Sequence, residues 1–165
     1  MRFSSNFGTA IHTLLIIHEY TQTQKVTSDI IADTIGTSPV LIRRLLVLLK
    51  KAGFISVAPR KEKAGTTMAK PLKDITLYAV FEAVEPNHTQ ELHASSIRLG
   101  NRCFSGLYTN EIIAGYINIT LNSIKDGLDK ITLADTLTAL EIKEAECPHD
   151  NPRELFADNE DAVGK

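Results

Sequence analysis

The chain has no tryptophan, only two cysteines, and no uninterrupted apolar run that approaches the roughly 20 residues a membrane-spanning helix needs. Cys103 and Cys147 are too few and too far apart to form a disulfide framework, and such sparse cysteine suits a reducing compartment. The N-terminus lacks the apolar stretch and small-residue cleavage site of a signal peptide. No membrane association is expected, and the expected location is the cytoplasm. Equally missing are a phosphate-cradling glycine loop, a paired-carboxylate arrangement, a nucleophile with an adjacent base, and a metal-ligand motif. No enzyme activity is expected; His88, His93 and Cys103 are the nearest thing to a ligand cluster.

What the chain does have is enough apolar residue for a core, 43% hydrophobic over 165 residues, and a lopsided charge. The formal net charge is -2. Residues 38–70 hold Arg43, Arg44, Lys50, Lys51, Arg60, Lys61, Lys63 and Lys70 against the single acid Glu62, a net of +7. The flanks carry the compensating acids, -1 before this block and -8 after it. A basic block in an otherwise acidic chain is the footprint of a surface that meets phosphates.

The block overlaps a patterned stretch, TSDIIADTIGTSPVLIRRLLVLLKKAG, at residues 27–53. Thr27 is placed to cap a helix, Val26 and Ile31 to staple it, Asp29 to meet the positive end of its dipole, and Gly36 to end it. A second helix follows with Ser38 as cap, Pro39 in its first position and Gly53 as its stop. Leu41, Leu45, Leu48 and Ala52 recur at helical spacing and predict its core face. Val40, Arg43, Arg44, Val47, Lys50 and Lys51 lie opposite. Two short helices around a tight turn, the second basic on its outer side, form the pattern of a helix-turn-helix whose second helix enters the major groove. The same pattern also occurs in helical proteins whose arginines merely face solvent.

The rest of the chain adds context. A first helix begins at Ser4 or Ser5, with Phe7, Ala10, Ile11, Leu14, Leu15 and His18 along one side. His12 and His18 lie on or beside that side and are expected to be hydrogen-bonded core residues rather than ligands. Residues 54–57 and 66–69 alternate as two strands around a basic turn, PRKEKAGT, which makes a wing beside the second helix. Asp74 or Thr76 caps a helix with Leu77, Val80, Phe81 and Val84 inward. A loop is expected over 87–105. A long helix over 109–128 is apolar on two sides, Ile113, Ile117, Leu121, Ile124 and Leu128 on one and Ile112, Tyr116 and Ile119 on the other. One side can meet its own domain and the other a second copy, although both can also be covered within one chain. A last helix starts at Thr132 with Asp135 three residues on. After Glu144 the tail is acidic and poor in large apolar residues, and disorder is expected there.

In this order the chain resembles the Rrf2 family of winged helix-turn-helix transcription regulators, closest to its YwnA-like single-cysteine branch. The stretches that carry the resemblance are MRFSSNFGTAIHTL at the start, TSPVLIRRLLVLLKKAGFI at the second helix, MAKPLKDITLYAVFEAVE after the wing, NRC at 101–103 and ITLADTL at 131–137. The resemblance covers about residues 1–140. It implies a homodimeric repressor that binds specific DNA sequences through the winged domain and pairs through the long helix. Family members that sense iron–sulfur status or nitric oxide carry three cysteines between the helix after the wing and the dimer helix. Here only Cys103 falls in that interval, so an iron–sulfur cluster is not expected and no cofactor is assigned. Cys103 is instead a candidate thiol sensor beside Arg98 and Arg102, or a small residue packed under the loop. Where the family commonly has Gly-Gly and an aromatic in the wing, this chain has Ala64, Gly65 and Thr66.

The expectation is therefore a mainly α fold with a small β-hairpin wing. A winged domain over 1–86 is followed by a sensor loop over 87–108, dimerisation helices over 109–142 and the tail over 143–165. The expected DNA-contacting residues are Arg2, Thr37, Ser38, Pro39, Val40, Arg43, Arg44, Lys50, Arg60, Lys61, Lys63 and Thr66. The expected dimer contacts are Ile113, Tyr116, Ile117, Leu121, Ile124 and Leu128. The partners expected are double-stranded DNA and a second copy, with a redox or small-molecule signal. The competing reading keeps the winged fold but docks its basic face on an acidic protein.

Overall fold

In the computed structural model, residues 4–23, 25–57, 65–85 and 104–146 are described, the side chains of 104–111 excepted. Helix α1 spans Ser5–Tyr20, and Ser4 caps it by accepting from the Asn6 N–H at 3.1 Å. It touches α2, α3 and α4 as well as the second strand and the last helix, so Ala10, Thr13, Leu14, Leu15, Ile16 and Ile17 are all buried. A helix wrapped on several sides leaves few positions in water. His12 and His18 occupy two of them, so both are exposed instead of core residues. The buried polar position belongs to Thr13, whose hydroxyl has no hydrogen-bond partner among the described residues.

Helix α2 is Ser28–Ile35. Thr27 Oγ1 accepts from Ile30 N–H at 3.3 Å, and Val26 and Ile31 are buried on either side of that cap as a staple. Gly36 adopts φ 73°, a left-handed turn that glycine enters without a Cβ clash, and the chain leaves α2 there. Helix α3, Pro39–Lys51, starts from Ser38, whose Oγ accepts from Leu41 N–H at 3.2 Å. Its buried residues are Ile42, Leu45 and Leu49, so the core face is turned from the expected Leu41, Leu45, Leu48 and Ala52. Leu41, Leu48 and Ala52 lie half-buried on its flanks. The sequence LLVLL offers apolar side chains at every phase of the helix, and packing against α1, α4 and the first strand selects among them.

Strands β1 (Ile55–Val57) and β2 (Thr66–Met68) pair antiparallel with Ile55 opposite Met68, Ser56 opposite Thr67 and Val57 opposite Thr66. One backbone hydrogen bond ties the hairpin to the segment before α2, Thr66 N–H donating to Val26 O at 3.0 Å, and Ala69 N–H donating to Phe54 O at 2.9 Å closes the base of the hairpin itself. The turn between the strands, residues 58–64, lies outside the described residues.

A single 3-10 turn, Leu72–Asp74, leads to α4, Leu77–Val84, capped by Thr76. Helix α5 runs Phe104–Asp129, beginning earlier than Thr109, and α6 runs Leu133–Glu146, past the expected limit of the dimerisation helices at 142. The starts of α4 and α6 are stitched together. Leu77 N–H donates to Ile131 O and Leu133 N–H to Ile75 O, both at 2.9 Å, and the buried Leu133 side chain joins the core. The end of α5 meets α4 through Thr76 Oγ1 donating to Asp129 at 3.1 Å and Lys125 over the Tyr78 ring. Burial, with Glu82 nearby, pushes the Tyr78 phenol above its ordinary pKa. The loop expected before α5 falls largely at 86–103, and the tail at 147–165; both lie outside the described residues. Among the described residues no helix is long and apolar enough to cross a membrane.

Candidate nucleic-acid interface

Among the described residues no element packs over the outer face of α3. Val40 is 63% and Val47 67% exposed, and Arg43, Arg44, Lys50 and Lys51 are exposed around them. Two valines seven positions apart on one helix face, rimmed by cations, make an exposed apolar strip of the kind that contact surfaces carry. Thr37 and Pro39 are half-buried at the turn, and Ser38 is exposed with its Oγ already capping α3.

Beside this face lies a groove of about 580 Å³ between α3, the start of α2 and the base of the hairpin. Its floor is apolar, with Val26, Leu46, Val47 and Val57, and Lys25, Arg43 and Lys50 line it as cations. Thr27 and Ser28 bring the first turn of α2 to the same groove. An α-helix N-terminus and three cations at one recess favour an anion. Thr66 lines the groove but is only 5% exposed, and its N–H is committed to Val26.

Arg43 does not point freely outward. Its Nη2 donates to Asp29 Oδ1 at 2.8 Å and its Nε to Ser28 Oγ at 3.2 Å. Arg44 takes the neighbouring exposed position. Sequence reading missed Lys25; its place immediately before the staple residue Val26 was the available signal. It also missed the tie from Asp29 to Arg43, since two residues on different helices share no local pattern. Arg2, Arg60, Lys61, Lys63 and Cys103 lie outside the described residues.

On α5, Ile113, Ile117, Leu121, Ile124 and Leu128 are half-buried. The opposite side is open, with Ile112 54%, Tyr116 66% and Ile119 64% exposed. Among the described residues no three His, Cys, Asp or Glu side chains converge as a metal site.

The arrangement suits a duplex. A 13-residue helix with an exposed basic and apolar face fits the width of a major groove. Comparison with known proteins agrees. The sequence profile of a family described as Rrf2, iron-dependent transcriptional regulator, matches residues 3–139. A Bacillus subtilis protein described as the HTH-type transcriptional regulator YwnA is 29% identical over 137 residues, 83% of this chain and 98% of that protein. A crystal structure described as that of a DNA-binding protein superposes with a TM-score of 0.64 at 26% identity, over 81% of this chain and 99% of the other. One described as a transcriptional regulator from Lactobacillus plantarum reaches 0.70 at 19% identity, over 88% and 95%, and speaks for the fold alone.

Proposed function

The chain belongs to the Rrf2 family of transcription regulators, and from that premise we propose that it is a homodimeric repressor that reads a specific operator through α3. The observation that carries this reading is the uncovered outer face of α3, where Val40 and Val47 stand in water among Arg43, Arg44, Lys50 and Lys51. Arg43 and Arg44 supply the guanidinium forks that can hold a guanine edge, whereas Lys25 and Lys50 act as point charges for phosphates. Ser38 and Pro39 bring the start of α3 to the base edges of the DNA major groove, with Thr37 and Val40 beside them. Arg2, Arg60, Lys61 and Lys63 extend the positive surface in the sequence.

The second copy pairs along the open side of α5, where Ile112, Tyr116 and Ile119 are exposed. Two α3 helices then address two half-sites of one operator. The regulator works in the cytoplasm and answers a redox or small-molecule signal, with Cys103 as the sensing thiol in the redox case. The family is described as iron-dependent. Iron–sulfur units are held by several thiolates, and Cys103 and Cys147, the only cysteines, do not make such a set. No step of this reading passes through a cluster.

The test is fluorescence anisotropy on DNA from the protein's own promoter and on a scrambled duplex, across a salt series. Tight promoter binding that weakens steeply with salt and exceeds scrambled binding is expected. Equal, weak binding to both overturns the reading. Loss of binding on mild oxidation that a Cys103→Ser variant escapes assigns the signal to that thiol; an indifferent wild type removes it.

A further inference from the structure

Arg43 has one edge of its guanidinium occupied before any DNA arrives. The group carries five N–H donors in a rigid planar fork. Nε–H is directed to Ser28 Oγ and one Nη2–H to Asp29 Oδ1, so the Nε side of the fork faces the first turn of α2. The opposite end, shared by Nη1 and Nη2, keeps its parallel N–H groups. Those are the two donors that match guanine O6 and N7.

Both acceptors stand on the first turn of a capped, packed helix. Ser28 and Asp29 follow the Thr27 cap, and α2 is locked on the core by Ile31, which like Ile42 beneath α3 is fully buried. The aim of the fork is therefore set by core packing rather than by the arginine's own rotamers. A long side chain on an exposed helix face otherwise loses rotamer freedom when it binds.

The charge of Asp29 argues the same way. Its side chain is 63% exposed on the face assigned to a polyanion. A carboxylate there repels phosphate and lowers affinity for every duplex alike, whereas aiming Arg43 raises affinity only where a guanine meets the fork.

We propose that Ser28 and Asp29 are positioning residues that aim the free edge of Arg43 at a guanine, and that Asp29 thereby sharpens operator selection while lowering general affinity. This rests on the DNA-reading function above. The test compares wild type, Asp29→Ala, Asp29→Asn and Ser28→Ala, together with Asp29→Ala in an Arg43→Ala background, on promoter and scrambled duplexes. Thermal unfolding confirms that each variant is folded.

Asp29→Ala is expected to lower the promoter-to-scrambled affinity ratio about two- to tenfold, the scale of one arginine's ordering, with scrambled DNA bound more tightly than by wild type. Asp29→Asn keeps an acceptor for Nη2 and recovers most of the ratio, and Ser28→Ala lowers it less than Asp29→Ala does. In the Arg43→Ala background, Asp29→Ala leaves the ratio unchanged. A role confined to the α2 dipole would lower the melting temperature and shift both duplexes by one factor, which overturns the inference. So does a ratio that still falls when Arg43 is absent. A wild type that does not discriminate at all overturns the DNA-reading function and this inference together, and so differs from either failure above.

Discussion

Thr132 and Asp135 exchange hydrogen bonds across the first turn of α6. Thr132 N–H donates to Asp135 Oδ2 at 2.8 Å, and Asp135 N–H donates back to Thr132 Oγ1 at 3.2 Å. The backbone bond from Thr132, with its hydroxyl donating as well, holds the Asp135 carboxyl below its ordinary pKa of 3.8. A folded pKa below the unfolded one contributes stability that is present above pH 3.8 and is lost as pH falls through the lower folded value. Asp135→Ala is expected to melt a few degrees below wild type at neutral pH. Melting curves recorded down to strong acid should show the two proteins converging; a gap independent of pH would assign the loss to something other than the carboxylate.

The turned core face of α3 gives a second expectation. Ile42 is fully buried, whereas Leu48 is half-buried on the flank. Urea unfolding should find Ile42→Ala destabilising by about 2–5 kcal/mol, and Leu48→Ala by less than half of that. The reverse order would restore the phase that spacing alone predicts.

Lys50 lines the groove and offers a point charge rather than a fork. Lys50→Ala should weaken promoter and scrambled DNA by a similar factor and reduce the slope of log affinity against log salt by about 1. Selectivity that collapses in this variant would make Lys50 a base reader.

Tyr116 and Ile119 lie on the open side of α5. The proposed pairing buries this side, and a carboxylate in an apolar seam is strongly unfavourable, so wild type is expected to sediment as a dimer and Ile119→Asp as a monomer at the same concentration. Promoter affinity should fall with it, because two half-sites can then no longer be held at once. A variant that sediments like wild type would place the seam elsewhere.

Local signals were the legible part of this fold. Thr27, Ser38, Thr76 and Thr132 could be read as caps because each needs only its own first turn, and Gly36 as a stop because its backbone is left-handed. The phase of α3 was not legible, since LLVLL is apolar at five consecutive positions and only the neighbours of the helix choose among them. The exposure of His12 and His18 depended on how many elements surround α1, which no periodicity records. At the candidate interface the outer face of α3 followed from the charge pattern. The grip of Asp29 on Arg43 did not, because it joins residues 14 positions apart on separate helices.

The hairpin is tied to the segment before α2 where β2 begins, by Thr66 N–H donating to Val26 O, and is closed at its base by Ala69 N–H donating to Phe54 O. Val57 and Gly65, which bracket residues 58–64, therefore adjoin a tied pair of strands. Lengthening or shortening 58–64 should leave α2 and α3 in place. The length of that turn and the placement of α3 are thus separable.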